Sequence, residues 1–287
     1  MTGPGAAGAG GGLPAEFADF TGSVASRDVA LPWGRCRVWD VGEGRPVVLL
    51  HGIAGSRRNF FRVVPLLASR RRVVVPLLRG EDAAVTRVTY EEVCGDVRAL
   101  LDALDLSEAT LFGWSFGGAV ALAYAARGDP RVAEVVVQGG FLRFPLGVSD
   151  RIATALSRLL PDAVGSAYFT WRVLRGRENA LLATRAPGLD SLSAAWSALT
   201  PFASLRARVR LIDRVDLAPL AKSIRVPLTV ATGSLDRVVP PRLFDRLRAT
   251  LPSARAVVWD GVAHMAPLTD PERVAALVDG ARGVTSC

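Results

Sequence analysis

The chain has 287 residues, half of them hydrophobic, and carries a formal net charge of +8 at pH 7. That length is enough to bury the core of one large α/β domain, and no uncharged apolar stretch approaches the ~20 residues that a membrane-spanning helix needs. The basic charge comes without a basic helix of base-reading residues or an aromatic stacking platform, which argues against nucleic acid as a partner.

The first dozen residues, MTGPGAAGAGGG, hold no Lys or Arg and no leucine-rich run. This is not the pattern of a secretory signal, and residues 1–16 are expected to form a disordered Gly/Ala tail. Residues 17–287 then read as one α/β domain with an expected cytoplasmic location. Segments 35–41 and 46–50 read as strands around the turn Gly42-Glu43-Gly44-Arg45, forming an antiparallel edge. A helix over 58–69 and a strand over 73–77 follow. A second helix is expected over 89–104, with Thr89 and Glu92 as its capping box. Residues 109–112 read as a buried strand, 117–127 as a helix and 132–137 as another strand. The rhythm returns with strand 226–232, helix 240–250, strand 256–259 and helix 270–281. Strands alternating with helices imply a mostly parallel sheet covered on both faces. Between them, 141–215 shows helical patterns without a strand and reads as a helical lid inserted before the strand 226–232.

The three cysteines, Cys36, Cys94 and Cys287, lack metal-ligand spacing and are odd in number, so neither a metal site nor a disulfide framework is expected. Cys94 reads as a buried helical thiol, with a reactive nucleophile as the alternative.

Gly113-Trp114-Ser115-Phe116-Gly117 fits G-x-S-x-G between a buried strand and a helix. A sharp turn there strains the middle residue and exposes its side chain, and it needs small residues on either side where the chain doubles back. Ser115 is the candidate nucleophile. A serine hydroxyl needs an adjacent base, and the chain has only two histidines. His51, in LLHGIAG, reads as a structural residue bonding a glycine-rich turn. The Ile53 amide of that turn would join the Phe116 amide as an oxyanion hole. His264, in the loop before the last helix, is left as the base. The strand 132–137 ends without a carboxylate, whereas 226–232 leads into Gly233-Ser234-Leu235-Asp236. Asp236 is therefore the expected acid, with Asp260 as the weaker competitor.

LHGIAG, GWSFGG, GSLDRVVP and GVAHMAPLTDPERV, in that order, resemble the oxyanion, nucleophile, acid and base segments of the α/β-hydrolase superfamily, across roughly residues 35–282. Trp114 and the stretch VDLAPLAKSIRVPL are similar to pimeloyl-[acyl-carrier-protein] methyl ester esterases. The resemblance implies an α/β-hydrolase fold and a cofactor-free mechanism through an acyl-enzyme on Ser115. The expected activity is hydrolysis of a carboxylic ester or thioester, with a lyase, cyclase or acyl transferase using the same residues, or a ligand-binding protein, as alternatives. The chain departs from the family after the strand near residue 78, where it reads Arg79-Gly80-Glu81-Asp82-Ala83 and lacks the usual histidine.

Every basic residue except Lys222 is arginine, and the lid holds eleven arginines against five carboxylates, or +6 of the +8. Leu142, Phe144, Leu146, Leu156, Leu159, Leu160, Phe169, Trp171, Leu174 and Trp196 would supply its apolar roof. An apolar slot with a basic rim suits an acyl chain attached to an anionic carrier, such as acyl carrier protein or coenzyme A; a small-molecule ester is the other expected substrate. The alternative is a solvated arginine-rich surface.

Overall fold

The computed structural model describes residues 15–81, 83–159, 164–165, 182–197 and 199–280. Eight strands join in one sheet: β1 (Ser26–Leu31), β2 (Gly34–Val41), β3 (Pro46–Leu50), β4 (Arg72–Pro76), β5 (Ala109–Trp114), β6 (Val132–Gln138), β7 (Leu228–Gly233) and β8 (Arg255–Trp259). Their spatial order is β1-β2-β4-β3-β5-β6-β7-β8. Strand β2 runs antiparallel to both neighbours, and every other pairing is parallel.

The antiparallel edge expected between 35–41 and 46–50 is not formed. Instead β2 pairs with β4, Val38 opposite Pro76, while β3 lies between β4 and β5. Burial explains the exchange. Val47 to Leu50 are all buried, as suits a strand covered on both faces, whereas β2 alternates and takes a position near the edge. The edge strand β1 was not expected: its sequence SRDVAL buries only Val29, so it carries almost no periodic signal.

The other elements fall close to expectation. The helix Tyr90–Ala103 starts at Thr89, whose hydroxyl accepts from the Glu92 amide while the Glu92 carboxylate accepts from the Thr89 amide. The predicted helix 58–69 splits into a 3₁₀ turn, Arg57–Phe60, and a short α-helix, Val63–Ala68. Of the segment 1–16 expected to form a tail, only Ala15 and Glu16 are described. Ala15 and Glu16 open the helix Ala15–Ser23, and Glu16 pairs with Arg62 at 2.5 Å; residues 1–14 and Cys287 lie outside the described residues.

Two apolar clusters cover the two faces of the sheet, and β5 feeds both: Leu111 packs in one and Phe112 in the other. With β3 and β6 on either side, β5 is the centre of the sheet. Its carboxyl end, and those of β6 and β7, are the places where a parallel α/β sheet presents functional loops.

Among the described residues of 141–215 there are helices and no strand, including Val148–Leu156, Leu189–Ser197 and Phe202–Arg214. The described members of the set expected to roof a pocket take different surroundings. Leu142 is part of the core, Leu156 and Leu159 are exposed, and Trp196 packs on Phe17 and Phe61. Leu160, Phe169, Trp171 and Leu174 lie outside the described residues, as do Arg172, Arg175 and Arg177.

Candidate active site

Strand β5 ends at Trp114, and the helix Phe116–Ala125 begins two residues later, so Ser115 alone makes the turn. Its backbone sits at φ 57°, ψ −117°, one of three non-glycine residues with positive φ among those described. Such a conformation is strained and persists only where the surroundings hold it. Here the Ser115 amide donates to the Gln138 carbonyl at 2.9 Å, and its carbonyl accepts from Gly118. The flanking glycines are sterically required. A Cβ on Gly113 would lie 2.3 Å from the Gly117 carbonyl oxygen, and one on Gly117 would lie 2.0 Å from that of Leu50.

Asp236 and His264 arrive from separate loops. The Asp236 carboxylate is buried and divided in its bonding: Oδ1 accepts the amides of Val238 and Val239 at 3.0 and 2.8 Å, and Oδ2 lies 2.8 Å from His264 Nδ1. Asp260 takes no part in this pair. It is exposed and accepts from the Ser234 hydroxyl. Gly139, at the end of β6, leaves the space the pair occupies, since a Cβ there would come within 3.0 Å of the His264 ring. Trp114 supports the histidine from beneath. Its indole N–H donates to the His264 carbonyl at 2.9 Å, and the two rings are 5.6 Å apart. Ser115 and His264 line one small apolar cavity of about 60 Å³, together with Gly52, Ile53, Leu182 and Ser193.

The turn after β3 forms the opposite wall. The Gly55 amide closes it by donating to the Gly52 carbonyl at 3.1 Å. Across the cleft, Phe116 is the first residue of its helix, so its amide has no carbonyl one turn back to bond and sits at the positive end of the helix dipole. His51 is fully buried, with Nδ1 2.9 Å from the Gly52 carbonyl and Nε2 2.7 Å from Glu81 Oε2. Both ring nitrogens are engaged in holding the turn, which leaves His264 as the histidine facing Ser115.

Glu81 gave no signal in the sequence beyond the absence of the usual histidine nearby. Burial pushes its pKa up, but the charge and hydrogen bond of His51, the charge of Arg208 and the Leu78 amide outweigh it and hold the carboxyl below its ordinary 4.5. A carboxylate lowered in this way stabilises the fold above pH 4.5, and the contribution is lost as pH falls through the folded value. Glu81→Gln is therefore expected to melt below wild type at pH 7, with the gap narrowing as pH falls below 4.5. A gap that widens as pH falls from 7 toward 4.5 would show that Glu81 is protonated in the fold.

Burial raises the Cys94 thiol to about pKa 11, which makes it a poor nucleophile at neutral pH. Among the described residues no group of His, Cys, Asp and Glu is arranged to hold a metal ion.

A family model described as alpha/beta hydrolase fold matches residues 45–271. A pimeloyl-[acyl-carrier protein] methyl ester esterase of Neisseria meningitidis is 30% identical over 246 residues, covering 81% of this chain and 91% of that protein. A 2-hydroxy-6-oxo-2,4-heptadienoate hydrolase of Pseudomonas putida is 29% identical over 241 residues, covering 78% and 84%. Among solved structures, an enol-lactonase from Burkholderia xenovorans LB400 superposes with a TM-score of 0.76 at 23% identity, over 88% of this chain and 97% of that one.

Proposed function

The chain belongs to the α/β-hydrolase fold family, and we propose that within it the protein cleaves a carboxylic ester or thioester through an acyl-enzyme formed on Ser115. The observation that carries this reading is the strained Ser115 at the end of β5, sharing a cavity with a histidine whose Nδ1 is bound to Asp236. In this account Ser115 Oγ attacks the substrate carbonyl while His264 Nε2 takes its proton. The oxygen of the tetrahedral intermediate accepts from the amides of Ile53 and Phe116. His264 then returns the proton to the departing alcohol or thiol. Water enters, loses a proton to the same nitrogen, and releases the acid. Asp236 holds the histidine tautomer and balances the imidazolium charge. No cofactor is required at any step.

An acyl-carrier-linked ester is the substrate class favoured by the esterase relatives and by the net charge of +8. Among the described lid arginines, several bond within the fold: Arg143 to the Asp213 carbonyl, Arg151 to the Asp213 carboxylate and Arg185 to Asp270. A groove of about 720 Å³ lined by Arg35, Arg37, Arg57 and Arg58, with Asp28 and Glu81, adds positive surface on the main domain.

Raising salt from 50 to 500 mM shortens the Debye length from about 14 to about 4 Å. That should raise KM for a methyl ester carried on an acidic acyl-carrier protein several-fold, and leave KM for a small neutral methyl ester without the carrier unchanged. An equal response from both would leave the arginines as solvated surface and favour a small-molecule ester. The same assay includes a 2-hydroxy-6-oxo-dienoate, the class named by the Pseudomonas relative; preference for it over every ester would replace the ester reading.

A further inference from the structure

The helix Phe202–Arg214 carries an arginine that does not reach solvent: Arg208 is 1% exposed. Its guanidinium is spent on backbone carbonyls. Nη1 donates to the Ile53 carbonyl at 2.7 Å, and Nη2 to the carbonyls of Arg79 at 2.7 Å and Leu78 at 3.3 Å. The same group lies 5.7 Å from the centre of the Phe116 ring. One side chain thus touches both residues whose amides are assigned to the oxyanion. Burial lowers its pKa to about 10, opposed by the charge of Glu81, so it is cationic at neutral pH.

The geometry of the turn shows what these bonds do. The Ile53 N–H belongs to the peptide plane whose carbonyl is that of Gly52, and that oxygen is held by His51 Nδ1 and the Gly55 amide. The next peptide plane carries the Ile53 carbonyl, and Arg208 holds it. Both planes flanking the Ile53 α-carbon are therefore fixed, which sets the direction of its N–H. Glu81 ties the two clamps together, bonded to His51 and facing the charge of Arg208. The helix reinforces the arrangement by packing Phe202 and Leu205 against Ile53 and Ala54. A buried guanidinium is costly and is a weak source of stability compared with an apolar side chain of similar volume. Its bonds go where orientation matters.

We infer that Arg208 is a positioning residue for the oxyanion turn, aiming the Ile53 amide from the helix Phe202–Arg214 without touching substrate. This rests on the proposed role of Ser115 and of the two amides. Removing an oxyanion donor outright lowers kcat by about 10²–10³-fold, and misaiming one is expected to lower it by about 10–100-fold.

The test uses the full chain, an activated neutral ester and an aryl trifluoromethyl ketone, whose adduct with serine carries an oxyanion. In Arg208→Lys, which keeps the charge but reaches fewer carbonyls, kcat should fall by about 10–100-fold with KM within about twofold. Affinity for the ketone should fall by the same factor, and affinity for the product acid should not change. In Arg208→Ala, millimolar guanidinium should restore part of kcat. If the alanine variant does not fold, the lysine variant decides. A lower melting temperature with unchanged kcat and unchanged ketone affinity would overturn the inference, as would a rise in KM alone. Ser115→Ala, run alongside, separates the two claims: if it stays active the serine mechanism fails, whereas if it is inactive and Arg208→Lys matches wild type only the positioning role fails.

Discussion

Ser115→Ala is expected to lower kcat for an activated ester by about 10⁵–10⁶-fold, the scale at which removal of a triad nucleophile leaves only binding and oxyanion stabilisation. Stability should hardly change. The side chain is small, and the bonds that keep the elbow in shape run through the backbone: the Ser115 amide to Gln138 and its carbonyl to Gly118 and Ala119. Alanine meets the same positive-φ strain as serine, so the strain itself is not relieved. Circular dichroism and a thermal melt within a degree or two of wild type, beside a lost rate, are the expected pair of results. Retained activity would move the nucleophile elsewhere.

The second large effect is at Asp236. Its two oxygens are not equivalent: Oδ1 accepts two backbone amides, and Oδ2 faces His264 Nδ1. An asparagine at this position would keep its carbonyl oxygen toward the amides of Val238 and Val239, since its NH₂ cannot accept from them. The NH₂ would then face His264 and donate to Nδ1, so the ring proton would move to Nε2. A histidine protonated at Nε2 has no lone pair to take the Ser115 proton. Asp236→Asn should therefore lower kcat by about 10⁴-fold with KM little changed, as in other triads. Asp260→Asn should stay near wild type, because Asp260 is engaged with Ser234 in solvent. The reverse pattern would assign the acid to Asp260.

The parts of this site that are legible in the sequence are those fixed by local chemistry. The G-x-S-x-G elbow encodes its own turn, since side chains on Gly113 and Gly117 would collide with backbone. The Thr89–Glu92 cap and the strand-to-Asp236 connection are likewise written within a few residues. With only two histidines in the chain, elimination leaves His264 as the candidate base, and in the structure its Nδ1 lies 2.8 Å from Asp236 Oδ2.

What escaped is long-range. Nothing near Arg208 in the sequence marks it as buried: composition groups it with the eleven arginines of 141–215 as a basic rim, but its partners are carbonyls 129 to 155 residues away. Glu81 lies where the family's usual histidine is missing, and nothing else in the sequence marks it. The pairing of β2 with β4 is also non-local, decided by which strand is buried on both faces rather than by the short turn at 42–45. The surroundings of the described lid residues are also set over long range. Helical periodicity identifies an apolar stripe but not its neighbour, and in Val148–Leu156 none of the residues is buried, while Trp196 faces Phe17 and Phe61.

The proposed hydrolysis runs through a covalent intermediate on Ser115. The most direct measurement treats the wild-type protein with a fluorophosphonate, then determines the intact mass and maps the modified peptide. One adduct per chain on Ser115, formed in step with loss of esterase activity and absent in Ser115→Ala, is the predicted result. An adduct on Cys94 or on any other residue, or full esterase activity after Ser115 is quantitatively modified, would contradict it.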